Sequence, residues 1–258
     1  MRVKPKKHLG QHFLKDESVC LRIAQSISNH LGCKNILEIG PGTGALTKHI
    51  LAIQAYEKLY VMEVDRESIS YLNNHFPELS SKQIIDGDFL NYDTPTLFEN
   101  APFAVVGNFP YNISSQILFK CLEYKDLVPE IVGMFQKEVA ERISEKPGTK
   151  KYGILSVFMQ VYYDVEYLFT VDEDVFEPPP KVKSGVIRCR RNSRVKLECD
   201  ELFFKKVVKT AFNQRRKTLR NSLKSITNGL ELPEKFSGER PERLSVEDFI
   251  ELTNLLKT

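Results

Sequence analysis

Four short stretches of the 258-residue chain carry residue types that can do chemistry, and Asn108-Phe109-Pro110-Tyr111 is the most telling of them. A ring-bound exocyclic amine is a poor nucleophile, because its lone pair is delocalised into the ring. Acceptors for the amine hydrogens raise the lone-pair density, and two are on offer here. Asn108 brings a side-chain carbonyl, and Phe109 a main-chain carbonyl released from regular structure by Pro110. Tyr111 adds a face for a stacked base, worth on the order of 1–3 kcal/mol. The block suits methyl transfer to a ring amine by position and electrostatics, without a covalent intermediate. Asn-x-Pro turns after strands are common, so its placement decides the reading.

The other three stretches favour a ligand containing adenosine. Gly40-Pro41-Gly42-Thr43-Gly44 permits positive φ and close backbone approach. A dinucleotide fingerprint beginning at Gly42 and Gly44 would need Gly or Ala where Thr47 stands, which disfavours an NAD-dependent oxidoreductase. Glu63, about 20 residues further on, can accept hydrogen bonds from ribose hydroxyls, with Asp65 as a competitor. Asp88 can accept from an adenine amine, with Asp86 as its neighbour and an ordinary Asx turn as the plain alternative.

These residues need a scaffold that brings them together, and the periodicity supplies one. Short apolar runs alternate with longer amphipathic ones, the pattern of βα units around a parallel sheet. Strands are predicted over 35–39, 58–64, 83–85 and 103–107, with helices over 45–52 and 68–76. Each of the four stretches then falls at the carboxyl end of a strand, where open α/β sheets bind ligands. Further strands are expected over 130–136, 164–169 and 185–189, and helices over 137–144 and 154–163 around a Lys/Gly/Pro-rich loop, 145–152. Beyond residue 192 the periodicity is helical, over 200–211, 216–226 and 245–256. The expected division is a sheet domain, 1–192, with a basic N-terminal arm, and a small all-α domain, 193–258.

Charge is distributed unevenly. Between Pro178 and Lys224 stand fifteen Lys and Arg against three acids, which leaves the rest of a chain of net charge +3 at −9. Such a concentration favours a polyanionic partner, nucleic acid first. The five cysteines are scattered with no CxxC pair, so neither a disulfide framework nor a metal site is expected. No apolar stretch approaches the roughly 20 residues of a membrane span, and the basic start lacks an apolar signal core. A cytoplasmic protein with no membrane partner is expected.

Seven blocks in order carry a resemblance: Leu9–Leu14, Glu38–Thr47, Gly87–Leu90, Asn108–Tyr111, Gln136–Arg142, Phe176–Val182 and Phe212–Arg220. Through them the chain resembles the ribosomal RNA adenine N6,N6-dimethyltransferase family. The resemblance implies a class I (Rossmann-like) α/β methyltransferase sheet with a small all-α C-terminal domain. It implies S-adenosylmethionine as cofactor, with S-adenosylhomocysteine as product, and cofactor contacts at His12, Leu14, Gly40, Glu63, Asp88 and Asn108, to which the turn reading adds Gly42. Phe176 matches the second aromatic, so that an extruded adenine would lie between Tyr111 and Phe176. The implied substrate is a pair of adjacent adenosines near the 3′ end of 16S rRNA in the small ribosomal subunit, with a role in subunit biogenesis. Arg215, Arg216, Lys217 and Arg220 would contact phosphates, and a monomer is expected. One departure is Phe109, where the family more often has Leu.

Two further readings share the fold. A methyltransferase conferring antibiotic resistance through large-subunit rRNA is disfavoured by the Phe176–Val186 and Arg215–Leu223 stretches. A non-catalytic assembly factor is disfavoured by the intact Glu63, Asp88 and Asn108–Tyr111 set.

Overall fold

The structure is a computed structural model that describes residues 3–54 and 56–257. Met1 and Arg2, the start of the expected basic arm, and Thr258 lie outside the described residues. β1 (Phe13–Leu14) and α1 (Glu17–Gln25) come first, then β2 (Asn35–Ile39), α2 (Thr47–Ile53), β3 (Lys58–Glu63), α3 (Arg66–His75) and β4 (Ile84–Asp86). β5 (Ala104–Asn108), α4 (Ser114–Glu123), β6 (Glu130–Gln136), α5 (Lys137–Ser144) and α6 (Ile154–Tyr162) follow. They lead to β7 (Tyr163–Val171), β8 (Phe176–Glu177) and β9 (Ser184–Arg191). The remainder is helical: α7 (Glu201–Asn213), α8 (Leu219–Ser222), α9 (Glu234–Ser237) and α10 (Val246–Lys257). Among these, α1, α4, α9 and the two-residue strands β1 and β8 go beyond the sequence prediction.

The main sheet has the order β4-β3-β2-β5-β6-β9-β7. β4 through β6 run parallel, and β9 lies antiparallel to β6. Ile36, Leu37, Val105, Val106, Ile131 and Val132 are fully buried, as continuous apolar strands must be when both faces of a parallel sheet are covered. From β2 the chain builds outward through β3 and β4, then returns to lay β5 on the other side. That reversal between β2 and β5 is a topological switch point, where a crevice opens outside the carboxyl ends of the strands. β1 and β8 form a separate antiparallel ribbon pairing Leu14 with Phe176 and Phe13 with Glu177.

The chain divides into two compact units, 1–140 with 164–191 and 141–163 with 192–258. Residues 141–163, placed with the sheet by the sequence, therefore group with the C-terminal helices. The reason is α6, whose Leu155, Val157, Phe158, Met159, Val161 and Tyr162 are all buried. A helix apolar on every side belongs inside a bundle, and ring contacts Phe158–Phe204, Tyr152–Phe212 and Phe212–Phe249 build the core of this second unit. The helix expected over 216–226 shortens to α8. Lys217 closes a turn on Gln214, and Thr218 restarts the helix, so Arg215, Arg216 and Lys217 lie in the connection. No helix among the described residues is long and apolar enough to cross a membrane.

Candidate active site

β2, β3 and β5 end at a cleft with an empty volume of about 950 Å³, part of it open to solvent. Its wall includes all seven residues expected to contact a cofactor, His12, Leu14, Gly40, Gly42, Glu63, Asp88 and Asn108, together with Phe109, Pro110 and Tyr111.

Glu63 terminates β3 with its carboxylate fixed from three sides. Oε2 accepts from the Gly42 amide at 3.0 Å, and Oε1 accepts from the Val64 and Asp65 amides at 2.9 and 3.0 Å. Burial pushes this carboxyl above its usual 4.5 even though the three amides favour the charged form. With roughly four lone-pair positions on a carboxylate, one remains for a further donor. Gly42 can present its amide this way because it sits at φ +56°, and a Cβ there would lie 2.9 Å from the Phe13 ring. Asp65, the competitor, is excluded by its own partners. It caps α3 through the Glu67 amide and is bound by Lys6, Gln11 and Ser68. Burial alone would raise its pKa, but these donors hold it below the usual carboxylate range.

Asp88 follows β4 and is both an Asx turn and a cavity residue. Oδ1 accepts from the Leu90 amide at 3.0 Å and Oδ2 from the Asn91 side chain at 2.6 Å. Asp86, exposed at the strand end and paired with Glu63 in register, does not line the cleft.

Asn108 ends β5, and its Nδ2 donates to the His12 carbonyl at 3.0 Å. A carbonyl only accepts, so the amide oxygen is the end left for a ligand. The Phe109 ring is fully buried against Phe135, with centroids 5.2 Å apart. Gly107 and Gly133, partners across β5 and β6, leave room for it: a Cβ would fall 2.8 and 2.2 Å from the ring. The residue that departs from the family pattern therefore fills core, while its amide donates to the Met134 carbonyl at 3.3 Å. Its own carbonyl accepts from no donor among the described residues.

Tyr111 is anchored by a 2.6 Å hydrogen bond between its hydroxyl and Ser184 Oγ, and burial raises its phenol above the ordinary 10. The aromatic beside it is His12, stacked at 5.6 Å and 26°. His12 Nδ1 donates to the Pro178 carbonyl at 2.7 Å, since a carbonyl can only accept. Phe176 corrects an expectation. Pairing of β8 with β1 sets it opposite Leu14 and turns it into the core, where it is 1% exposed. In this conformation it offers no face to a base.

The sequence reading missed Glu38, whose signal was a glutamate within the apolar strand Ile36-Leu37-Glu38-Ile39. It lines the cleft while 1% exposed, beside the Thr47 hydroxyl, with Oε2 lacking any hydrogen-bond partner. Burial pushes its carboxyl up to about 8. An orphaned buried carboxyl group, an amide-lined glycine turn and a second carboxylate on the next strand fit a nucleoside ligand with cationic groups. No cluster of three or more metal-ligating side chains occurs among the described residues.

The basic residues of the second unit divide. Arg216, Lys217 and Arg220 are exposed. Arg215 Nη2 instead donates to the carbonyls of Thr149, Lys150 and Tyr152.

Residues 2–257 match the ribosomal RNA adenine dimethylase family. A ribosomal RNA small subunit methyltransferase A from Flavobacterium johnsoniae is 56% identical over 99% of this chain and 97% of its own. The protein of the same name from Porphyromonas gingivalis is 54% identical over 100% and 99%. A dimethyladenosine transferase from Plasmodium falciparum superposes with a TM-score of 0.78 at 24% identity, over 95% of this chain and 97% of its own. The 23S rRNA methyltransferase ErmE does so with 0.69 at 24% identity, over 95% and 100%. The fold is thus the class I methyltransferase sheet with appended helices, and the chain belongs to the ribosomal RNA adenine dimethylase family.

Proposed function

We propose that the protein dimethylates N6 of two adjacent adenosines near the 3′ end of 16S rRNA in the small ribosomal subunit, using S-adenosylmethionine, as a monomeric cytoplasmic enzyme of subunit biogenesis. The carrying observation is Asn108: its amide nitrogen is fixed on the His12 carbonyl, which leaves Oδ1 as an aimed acceptor in a cleft that also holds Glu63, Asp88 and Tyr111.

S-adenosylmethionine supplies an electrophilic methyl group on sulfur. Gly40 and Gly42 let the main chain approach it, Glu63 accepts from the ribose, and Asp88 accepts from the adenine amine. Glu38 faces its cationic part, and His12 and Leu14, beside and within β1, close the cleft. Asn108 Oδ1 and the Phe109 carbonyl accept the N6 hydrogens of the target and sharpen its lone pair toward the methyl. Pro110 fixes the turn that presents both. Tyr111, held by Ser184, stacks on the extruded base, which takes the place of the His12 ring. Phe176 supports this wall from the core. The sheet unit, 1–140 with 164–191, carries the chemistry, and the helical unit binds rRNA phosphates through Arg216, Lys217 and Arg220.

Incubation with tritiated S-adenosylmethionine and small subunits lacking dimethyladenosine tests the reading, with large subunits in parallel. Labelled dimethyladenosine in the small subunit is expected. Label confined to the large subunit, or none with cofactor still bound, would overturn it.

A further inference from the structure

The loop between α5 and α6 has no role in the function proposed above. Residues 145–152 carry Lys146, Lys150 and Lys151, with Gly148 at the tip at φ +106°. Loops of this composition are ordinarily mobile, yet this one is tied down at several points. The Gly148 amide donates to the Glu242 carbonyl at 2.7 Å. Lys151 pairs with Glu141 at 2.7 Å. The Tyr152 ring is fully buried in the core of the second unit.

The principal tie is Arg215. Its Nη2 reaches three carbonyls in the loop, Thr149 at 3.4 Å, Tyr152 at 3.0 Å, and Lys150. Its Nε lies 3.9 Å from Glu242 Oε2, a buried atom with no hydrogen-bond partner. A guanidinium already compensated by a carboxylate and turned onto main-chain oxygens is poorly disposed to receive a phosphate. Its neighbours differ: Arg216 and Lys217 are exposed and form no ion pair among the described residues. The same holds for Lys146 and Lys150 in the loop that Arg215 grips, and for Arg243, whose Nη1 stands 3.6 Å from where a Gly148 Cβ would lie.

We propose that the 145–152 loop is a second rRNA-contacting element, with Lys146 and Lys150 on backbone phosphates, and that Arg215 is the positioning residue that holds it against the Arg216–Lys217 turn. The inference rests on the rRNA reading above. A rigid cationic loop beside a cationic turn tracks a phosphate backbone without the entropic cost of ordering a free loop on binding. It gives affinity and register rather than sequence readout.

Binding of full-length protein to small subunits across a salt series separates the roles. Each phosphate contact contributes about 0.7–0.9 to the slope of log K against log[salt]. The double substitution Lys146→Ala/Lys150→Ala, both exposed, is expected to leave the fold intact and flatten the slope by about 1.4–1.8. Arg215→Lys keeps the charge but not the fork. It is expected to flatten the slope by a similar amount, with no further loss on adding the loop substitutions, and to speed hydrogen exchange at the Gly148 amide. An unchanged slope in the loop double variant would remove the loop from the interface. Losses that add between Arg215→Lys and the loop variants, with Gly148 exchange unchanged, would put Arg215 itself on a phosphate. Absence of salt-dependent binding by the unsubstituted protein would overturn the rRNA reading itself, and the loop's role with it.

Discussion

In the strand-end cleft, main-chain amides fix the Glu63 carboxylate and a main-chain carbonyl fixes Asn108. In the C-terminal unit three main-chain carbonyls fix Arg215, while Arg216, Lys217 and Arg220 around it stand in solvent. Both regions use the backbone to aim charge, but the cleft aims nearly every polar group it has, whereas the basic region aims one so that others can act. Reacting atoms need placement to fractions of an ångström. Phosphate contacts tolerate side-chain freedom, because the attraction acts over a Debye length of about 10 Å at 0.1 M salt and needs no fixed geometry. Substitution in the cleft should therefore change rates, and substitution in the basic region should change affinity.

The largest expected effect probes the cleft's support. Phe176→Ala leaves a cavity behind the β1–β8 ribbon and is expected to cost about 3–5 kcal/mol of unfolding free energy. Denaturant titration without cofactor checks it, and a loss under 1 kcal/mol would mean that Phe176 is not the core residue described. Asn108→Ala removes an acceptor aimed at the reacting amine, and its kcat should fall roughly 10²–10³-fold with the melting temperature little changed. Single-turnover methyl transfer reads this directly. Arg215→Ala, which leaves Glu242 uncompensated, should cost about 1–3 kcal/mol, against less than about 0.5 kcal/mol for Arg216→Ala. Equal costs would erase the distinction between the two arginines.

The smallest effect is one of pH. Burial raises the Glu38 carboxyl from 4.5 to about 8, so the folded state favours the acid form. That contribution to stability is fully present below about 4.5 and is lost as pH rises through 8. A cationic ligand in the cleft favours the carboxylate instead. Cofactor affinity is then expected to rise with pH and level off near 8, by at most about tenfold per unit. Calorimetry on Glu38→Gln should give a flat profile, and a slope that survives the substitution would assign the proton elsewhere.

The cleft was largely legible in the sequence because its residues break local rules: glycines closing strands, acids after apolar runs, an Asn before Phe-Pro. Each is unfavourable for packing alone and so stands out. Where two acids competed, Glu63 against Asp65 and Asp88 against Asp86, only the hydrogen-bond partners could choose. Phe176 was read as facing a base, whereas here it faces the core, because pattern shows an aromatic but not which way a two-residue ribbon turns it. The second unit was less legible. α6 reads as one more apolar segment of the sheet region, and only its burial on every side assigns it to the C-terminal helices. Arg215 and Arg216 are identical as letters, and only the path of the 145–152 loop tells them apart.

The division of labour is tested most directly by methyl transfer to small subunits measured at limiting and at saturating subunit concentration. Asn108→Ala is predicted to lower kcat with little change in KM, and Arg216→Ala/Lys217→Ala to raise KM with kcat nearly unchanged. The reverse pattern, or loss of kcat in both, would contradict the account.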